Sequence, residues 1–124
     1  MKEEVKLWWE YTEADIKTAE HANDANDYYA VGFWAQQAVE KCIKALILHK
    51  GAEFKKIHDL EALGKRVNAP EAIIDKCKKI SPAYTIARYP DAASKPASSV
   101  SKAEAEELLK LAKEVIKWVK EQMK

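Results

Sequence analysis

Glycine, proline and cysteine are scarce in this chain of 124 residues, which has 3, 4 and 2 of them respectively. Few chain-breaking residues, with 48% hydrophobic and 33% charged residues, are typical of a helical protein and not of a β or disordered one. The sequence has no glycine-rich phosphate loop and no GxSxG elbow, so it lacks the motifs of nucleotide hydrolysis and serine hydrolysis. Its length fits one domain that buries a core without disulfides or metals. We therefore predict a single all-α domain over residues 1–124.

Histidine and cysteine are too sparse to suggest a metal site. Cys42 and Cys77 lie singly within helical patterns, and the three histidines lack the close paired spacing of zinc ligands. We therefore expect two buried, free cysteines, no bound metal and no cofactor.

Long apolar runs are missing as well. No segment approaches the roughly 20 apolar residues that a membrane span requires. The first residues, MKEEVKLWWEY, are acidic and amphipathic, unlike a targeting sequence. We expect a cytoplasmic protein that does not enter a membrane.

The overall net charge of +1 conceals a division along the chain. Residues 1–40 carry a net charge of −6, residues 41–88 carry +6, and residues 89–124 carry +1. The basic middle part is suited to attract phosphate or a nucleic-acid backbone. It is equally suited to pair with the acidic first helix, inside the bundle or across a dimer, or to remain a solvated surface.

Hydrophobic periodicity and capping residues predict the helices. The turn-forming run 23–27 separates the first two, Gly51 closes the second, and Pro70 and the capping box Ser101-Lys102-Ala103-Glu104 open later ones. Residues 81–100 contain three of the four prolines with several serines and alanines, so they are expected to form an irregular, mobile loop with little core. The predicted helices span about Glu3–Asn23, Tyr28–Lys50, His58–Val67, Pro70–Ser81 and 102–123.

The second predicted helix carries a distinctive string. Residues 33–46, FWAQQAVEKCIKAL, resemble the second-helix signature of HEPN domains, an aromatic residue followed by QQA, an E-K pair and KAL. A tryptophan-bearing first helix with Ala14-Asp15, the start His58-Asp59-Leu60, and Ala87-Arg88-Tyr89-Pro90-Asp91 follow the family's order. The resemblance implies an up-and-down bundle of four main antiparallel helices plus a short helix. It also implies a frequent homodimer, often beside a small nucleotidyltransferase.

The chain departs from the family's ribonucleases at one motif. Those members resemble one another in an arginine followed after four to six residues by a histidine, whereas Arg88 is followed by YPDAASK. General acid–base cleavage of RNA needs a group that titrates near neutrality, which arginine cannot supply. No catalytic residue is therefore assigned. A divergent ribonuclease, the toxin of a toxin–antitoxin pair, remains the alternative, using Arg88 with His58 or Tyr89.

Six residues form the candidate site for a nucleotide, RNA or other phosphate-bearing ligand. A guanidinium grips phosphate at two points and a tyrosine stacks on a base, while two lysines three positions apart on one helical face can reach one anion. We hypothesise a basic cleft lined by Lys41, Lys44, His58, Arg88, Tyr89 and Asp91.

Each of these residues also has a structural interpretation, which for Lys41 and Lys44 is a solvated lysine face of the helix. Arg88 pairs with a carboxylate such as Glu40 or Asp91, Tyr89-Pro90 closes the fourth helix, and His58 is a cap or hydrogen-bond anchor. Polar residues in the middle of the second helix, Glu40 among them, merely fix its register. We favour a nonenzymatic helical module that binds a nucleotide or a nucleotidyltransferase partner. We also expect a homodimer, because the second helix is apolar on more than one side and the chain has four tryptophans.

Overall fold

The computed structural model describes residues 2–54, 56–93 and 96–124, and its regular elements in those ranges are helical. The predicted all-α bundle is confirmed. The chain forms α1 (Glu3–Asp24), α2 (Tyr28–His49), α3 (Leu60–Arg66), α4 (Glu71–Ile80), α5 (Pro82–Arg88), α6 (Pro90–Ala93) and α7 (Lys102–Gln122), with a 3₁₀ turn at Ala97–Ser99.

The helix α2 lies at the centre of the bundle. It packs most extensively against α1 and also contacts α7, α5 and α3. Thirteen of its 22 residues are buried. Much of its wide apolar surface is therefore in contact with the other helices of the same chain. Ile43, Leu46 and Ile47 are among the largest fully buried side chains. Their burial contributes to the apolar area that stabilises the bundle.

Local signals set the helix ends. Gly51 follows α2 with φ +79°, a left-handed conformation that glycine adopts without the steric cost of a Cβ. The Asp59 carboxylate caps α3 by accepting hydrogen bonds from the backbone N–H groups of Glu61 and Ala62. The Ser101 hydroxyl caps α7 by accepting from the N–H of Glu104 at 3.0 Å.

The prediction of an irregular loop over residues 81–100 is wrong for much of that segment. Residues 82–88 and 90–93 are helical, so α4 ends at Ile80 and Tyr89 lies in extended backbone between α5 and α6. Pro82 and Pro90 are each the first residue of a helix. A backbone N–H at that position makes no hydrogen bond within the helix, so proline, which lacks this group, costs nothing there. The expectation of little core was sound, because α5 contributes no buried residue. Residues 94 and 95 lie outside the described ranges.

Both cysteines are buried and free, as the sequence predicts. Burial raises the pKa of Cys77 to about 12 and raises that of Cys42 well above its ordinary value. Neither thiol is therefore a nucleophile at neutral pH. In the described ranges, no three His, Cys, Asp or Glu residues cluster as a metal site would require. None of the helices described there combines the length and the apolar character needed to cross a membrane.

A candidate ligand-binding cleft beside a buried glutamate

Three polar side chains, one helical turn apart, are buried in the middle of α2. The Glu40 carboxylate accepts a hydrogen bond from the Gln36 amide at 3.1 Å. It also forms an ion pair with the Lys44 ammonium, at a distance of 2.9 Å. The Glu40 and Lys44 side chains are 7% and 6% exposed, and Gln36 is fully buried. Buried charges need such partners, because an unpaired one loses its hydration without compensation.

His58, just before α3, completes this cluster from outside the helix. Its Nδ1 lies 3.0 and 3.1 Å from the two carboxylate oxygens of Glu40. Its backbone carbonyl accepts a hydrogen bond from the Gln36 amide at 3.2 Å. The His58 side chain is 45% exposed. This surface residue is therefore fixed by two buried residues, Glu40 through its ring and Gln36 through its backbone.

Tyr84 and Arg88 on α5 continue this arrangement. The Tyr84 ring stacks on the His58 imidazole, with centroids 4.2 Å apart and planes inclined by 15°. The Arg88 guanidinium carbon lies 5.2 Å from the centre of the same Tyr84 ring, within cation–π range. The structure thus brings His58 and Arg88, 30 positions apart in the sequence, to one aromatic ring.

Sequence analysis missed Tyr84 because it placed the residue in a loop. Tyr84 and Arg88 are four positions apart, the spacing at which side chains meet on a helix. That signal is visible in the sequence only once Pro82 is understood as the start of a helix.

A cavity of about 470 Å³ opens beside His58 and Tyr84, between α3 and the α4–α5 corner. The Ser81 hydroxyl accepts a hydrogen bond from the Leu60 N–H at 3.0 Å, which joins this corner to α3. We name the cavity the α3–α5 cleft; its lining comprises His58, Asp59, Glu61, Lys78, Ser81, Pro82, Tyr84 and Thr85.

The charges along this cleft largely balance. Glu61 lies 2.9 Å from the Lys65 ammonium and 3.8 Å from that of Lys78. The hydrogen bond from Lys65 lowers the pKa of Glu61, with the nearby positive charges adding to the effect. Asp59 is engaged in capping α3. Arg88 is exposed and contacts the Tyr84 ring without itself lining the cleft, and no carboxylate of the described residues lies within ion-pair distance of it.

Lys41 and Lys44 are directed to α1 and not to this cleft. Lys41 forms an ion pair with Asp15. The Lys44 ammonium lies 5.9 and 5.2 Å from the rings of Trp8 and Phe54 in addition to its pair with Glu40. The Lys41–Asp15 pair is therefore one contact of the basic segment with the acidic first helix inside the bundle. Neither ammonium lines the cleft.

Tyr89 and Asp91 lie beyond the end of α5, and both are exposed. Neither lines the α3–α5 cleft. Of the six residues predicted from the sequence, the structure therefore brings together His58 and Arg88, through Tyr84. Their role in ligand binding stays a prediction.

The buried ion pair between Lys44 and Glu40 predicts that replacing the lysine destabilises the fold. Lys44→Met should lower the free energy of unfolding by about 3 kcal/mol, because it leaves the Glu40 charge buried without its cation. The matched control is Lys65→Met, which breaks an ion pair with the same 2.9 Å distance and four-residue spacing but with a lysine that is 64% exposed. Denaturant unfolding should find the control almost as stable as the wild type. Equal losses in both variants would contradict this account.

Comparisons with known proteins agree with this architecture. The family model of the HEPN domain matches residues 5–122. The crystal structure of ST0689, an archaeal HEPN homologue, is 31% identical, with all of both chains covered and a TM-score of 0.85. The crystal structure of TT1696 from Thermus thermophilus is 29% identical, covering 98% of this chain and 99% of that one, with a TM-score of 0.88. No curated protein matches significantly. The chain belongs to the HEPN domain family.

Proposed function

We propose that this HEPN-domain protein is a nonenzymatic helical module that binds a phosphate-bearing ligand, a nucleotide or short RNA, in the α3–α5 cleft. The observation that carries the proposal is the contact of both His58 and Arg88 with the Tyr84 ring. Tyr84 and His58 line a cavity large enough for a small ligand, and Arg88, for which the described residues provide no carboxylate partner, contacts the Tyr84 ring.

Each group has a distinct part in binding. The Arg88 guanidinium can hold two phosphate oxygens at once. Lys78 lines the cleft 3.8 Å from Glu61, and a bound phosphate would compete with that carboxylate for its ammonium. Tyr89 is 54% exposed next to Arg88 and offers a stacking face to a longer RNA. Lys41 and Lys44 act indirectly, because their charges are matched by Asp15 and Glu40.

The first test is ligand titration. Adenosine monophosphate and a short single-stranded RNA are titrated by calorimetry into the wild type and into Arg88→Ala. Loss of a hydrogen-bonded charge should weaken binding about tenfold or more, and added salt should weaken wild-type binding.

Arg66→Ala is the control, since Arg66 is the chain's other arginine and its guanidinium donates to the Glu53 carbonyl, whereas that of Arg88 contacts the Tyr84 ring. It should bind like the wild type. If Arg88→Ala keeps its affinity, or if both arginine variants lose it equally, the cleft is not the binding site.

A divergent ribonuclease is the second candidate, and the hydrogen bond between Glu40 and His58 favours it. A histidine oriented by a buried carboxylate is an arrangement found in general bases. Against it stands the sequence after Arg88, which lacks the second titrating group that would protonate the leaving oxygen. The binding module is therefore preferred.

We expect no RNA cleavage attributable to this site. Purified protein is incubated with fluorescently labelled RNA in the presence of a chelator, alongside His58→Ala and Arg88→Ala. Residual cleavage that is equal in all three samples would mark a contaminant. Cleavage lost in both variants would instead establish the ribonuclease, and with it the possibility of a toxin.

We propose that the protein forms a homodimer. Leu7 and Tyr11 on α1 and Tyr29, Ile86 and Tyr89 near α5 are large, exposed hydrophobic residues, and exposed apolar surface is typical of contact regions. A nucleotidyltransferase partner is a further proposal, supported by the family resemblance.

Light scattering tests the dimer directly. At tens of micromolar we expect twice the chain mass of 14.1 kDa. A mass of one chain across that concentration range would contradict the proposal.

A further inference from the structure

A second cavity, of about 480 Å³, lies across α5 from the α3–α5 cleft. Tyr84 and Thr85 line the cleft, whereas Ala83, Ile86 and Ala87 line the second cavity. At 3.6 residues per turn, these two sets lie on opposite sides of the helix. A cavity on each side explains why α5 contributes no buried residue. We name the second one the α2–α7 cavity, because α2, α5, α7 and the segment 96–100 form its main walls.

The walls of the α2–α7 cavity are mainly apolar. Tyr28, Tyr29 and Phe33 line it from α2, and Leu108 lines it from α7. The Tyr29 hydroxyl is already engaged, because it donates a hydrogen bond to the Ala87 carbonyl at 2.8 Å. This hydrogen bond ties α5 to α2, so the wall that α5 forms is held in place without a ligand.

Gly32 forms the bottom of the cavity, since it is the buried residue among those that line it in the described part of the chain. A Cβ at this position would lie 3.2 Å from the Leu108 Cδ1 and 3.5 Å from the Ala83 Cβ. The absence of a side chain therefore lets α2, α5 and α7 approach one another here. The cavity is thus a recess between three helices and not a flat apolar face.

Charge is sparse in this recess. Lys79 and Glu104 are the charged residues of its described lining; they are of opposite sign, and both are exposed. A charged ligand would lose its hydration in the recess without a net opposite charge to replace it. An uncharged apolar molecule instead gains from leaving water, and cavities of about 300–1,000 Å³ are of the size that small ligands occupy.

We infer that the α2–α7 cavity is a second binding site, for a small, uncharged and mainly apolar molecule. Its aromatic walls favour a ligand that carries a ring, because aromatic rings pack on one another in stacked or edge-on arrangements. The inference goes beyond the proposed phosphate binding at the α3–α5 cleft and does not depend on it.

The test uses N-phenyl-1-naphthylamine, an uncharged aromatic molecule whose fluorescence rises in apolar surroundings. It is titrated into the full chain as wild type, Ile86→Glu and the matched control Leu7→Glu. Ile86 lines the cavity and is 39% exposed, whereas Leu7 is 54% exposed on α1 and does not line it. We expect one saturable site per chain in the wild type and in the control. The affinity of Ile86→Glu should be lower by about tenfold or more, because a charge enters the apolar wall.

A second probe tests the class of ligand. The compound 8-anilinonaphthalene-1-sulfonate has the same rings as N-phenyl-1-naphthylamine and differs by its sulfonate group. The wild type should bind this anion about tenfold more weakly, because the recess offers no net positive charge. Equal or tighter binding of the sulfonate would overturn the assignment of an uncharged ligand.

Circular dichroism should show that Ile86→Glu is as helical as the wild type, since α5 contributes no buried residue. If it is less helical, Ala97→Glu decides the question, because Ala97 is an exposed residue of another wall and its substitution should weaken probe binding in the same way. Unchanged affinity in the cavity variant, equal loss in the Leu7→Glu control, or no saturable binding by the wild type would overturn the inference.

Light scattering on the same variants distinguishes a ligand site from a contact between subunits. Ile86→Glu should lose the probe and keep the mass of the wild type. If it loses both the probe and the mass of a dimer, the cavity belongs to an interface between copies of this chain, and the inference is overturned.

Discussion

The Glu40 carboxylate lies in the middle of α2, almost out of contact with water, and its charge has to be met by neighbouring donors. Two of them, Gln36 and Lys44, come from the same helix, and the third, the His58 imidazole, comes from the segment before α3. A buried carboxylate with too few partners is strongly destabilising. The chain between α2 and α3 therefore has to bring His58 back onto α2, and the position of the cleft follows from that requirement.

The corner between α4 and α5 supplies the other half of the cleft. Ser81 keeps helical backbone angles at the end of α4, and Pro82 begins α5 at once, so the chain turns without a long loop. The Ser81 hydroxyl binds the Leu60 N–H, and the Tyr29 hydroxyl on α2 donates to the Ala87 carbonyl at 2.8 Å. These two hydrogen bonds hold α5 at both ends. They place Tyr84 over His58 although α5 itself buries no residue.

The same physical rule explains why the lysines of α2 lie outside the cleft. The Lys41 ammonium pairs with the Asp15 carboxylate on α1. The Lys44 ammonium lies over the rings of Trp8 on α1 and of Phe54 beyond α2. Matching a charge inside the bundle stabilises more than leaving it unpaired near a low-dielectric core. The positive charge near the cleft comes from Arg88 and Lys78. Among the described residues, Arg88 has no carboxylate within ion-pair distance, and the nearest one to Lys78 is that of Glu61 at 3.8 Å.

The sequence by itself determined the helical class, the family and most helix ends, because these depend on local properties. Hydrophobic periodicity, the Gly51 closure and the Ser101 cap act over a few residues and were predicted to within about two positions, the usual uncertainty of helix ends. The string over residues 33–46 carried the family resemblance. The cysteines were also predicted correctly, since their burial follows from their place on apolar stripes.

Only the tertiary structure decided which residues share a site. His58, Tyr84 and Arg88 meet because a buried charge on α2 and two long-range hydrogen bonds position separate segments, and no periodicity records such contacts. The prolines at 82 and 90 illustrate the limit: the same residue breaks a helix in its interior and starts one at its first position. Which effect applies depended on whether α2 offered α5 a surface on which to pack.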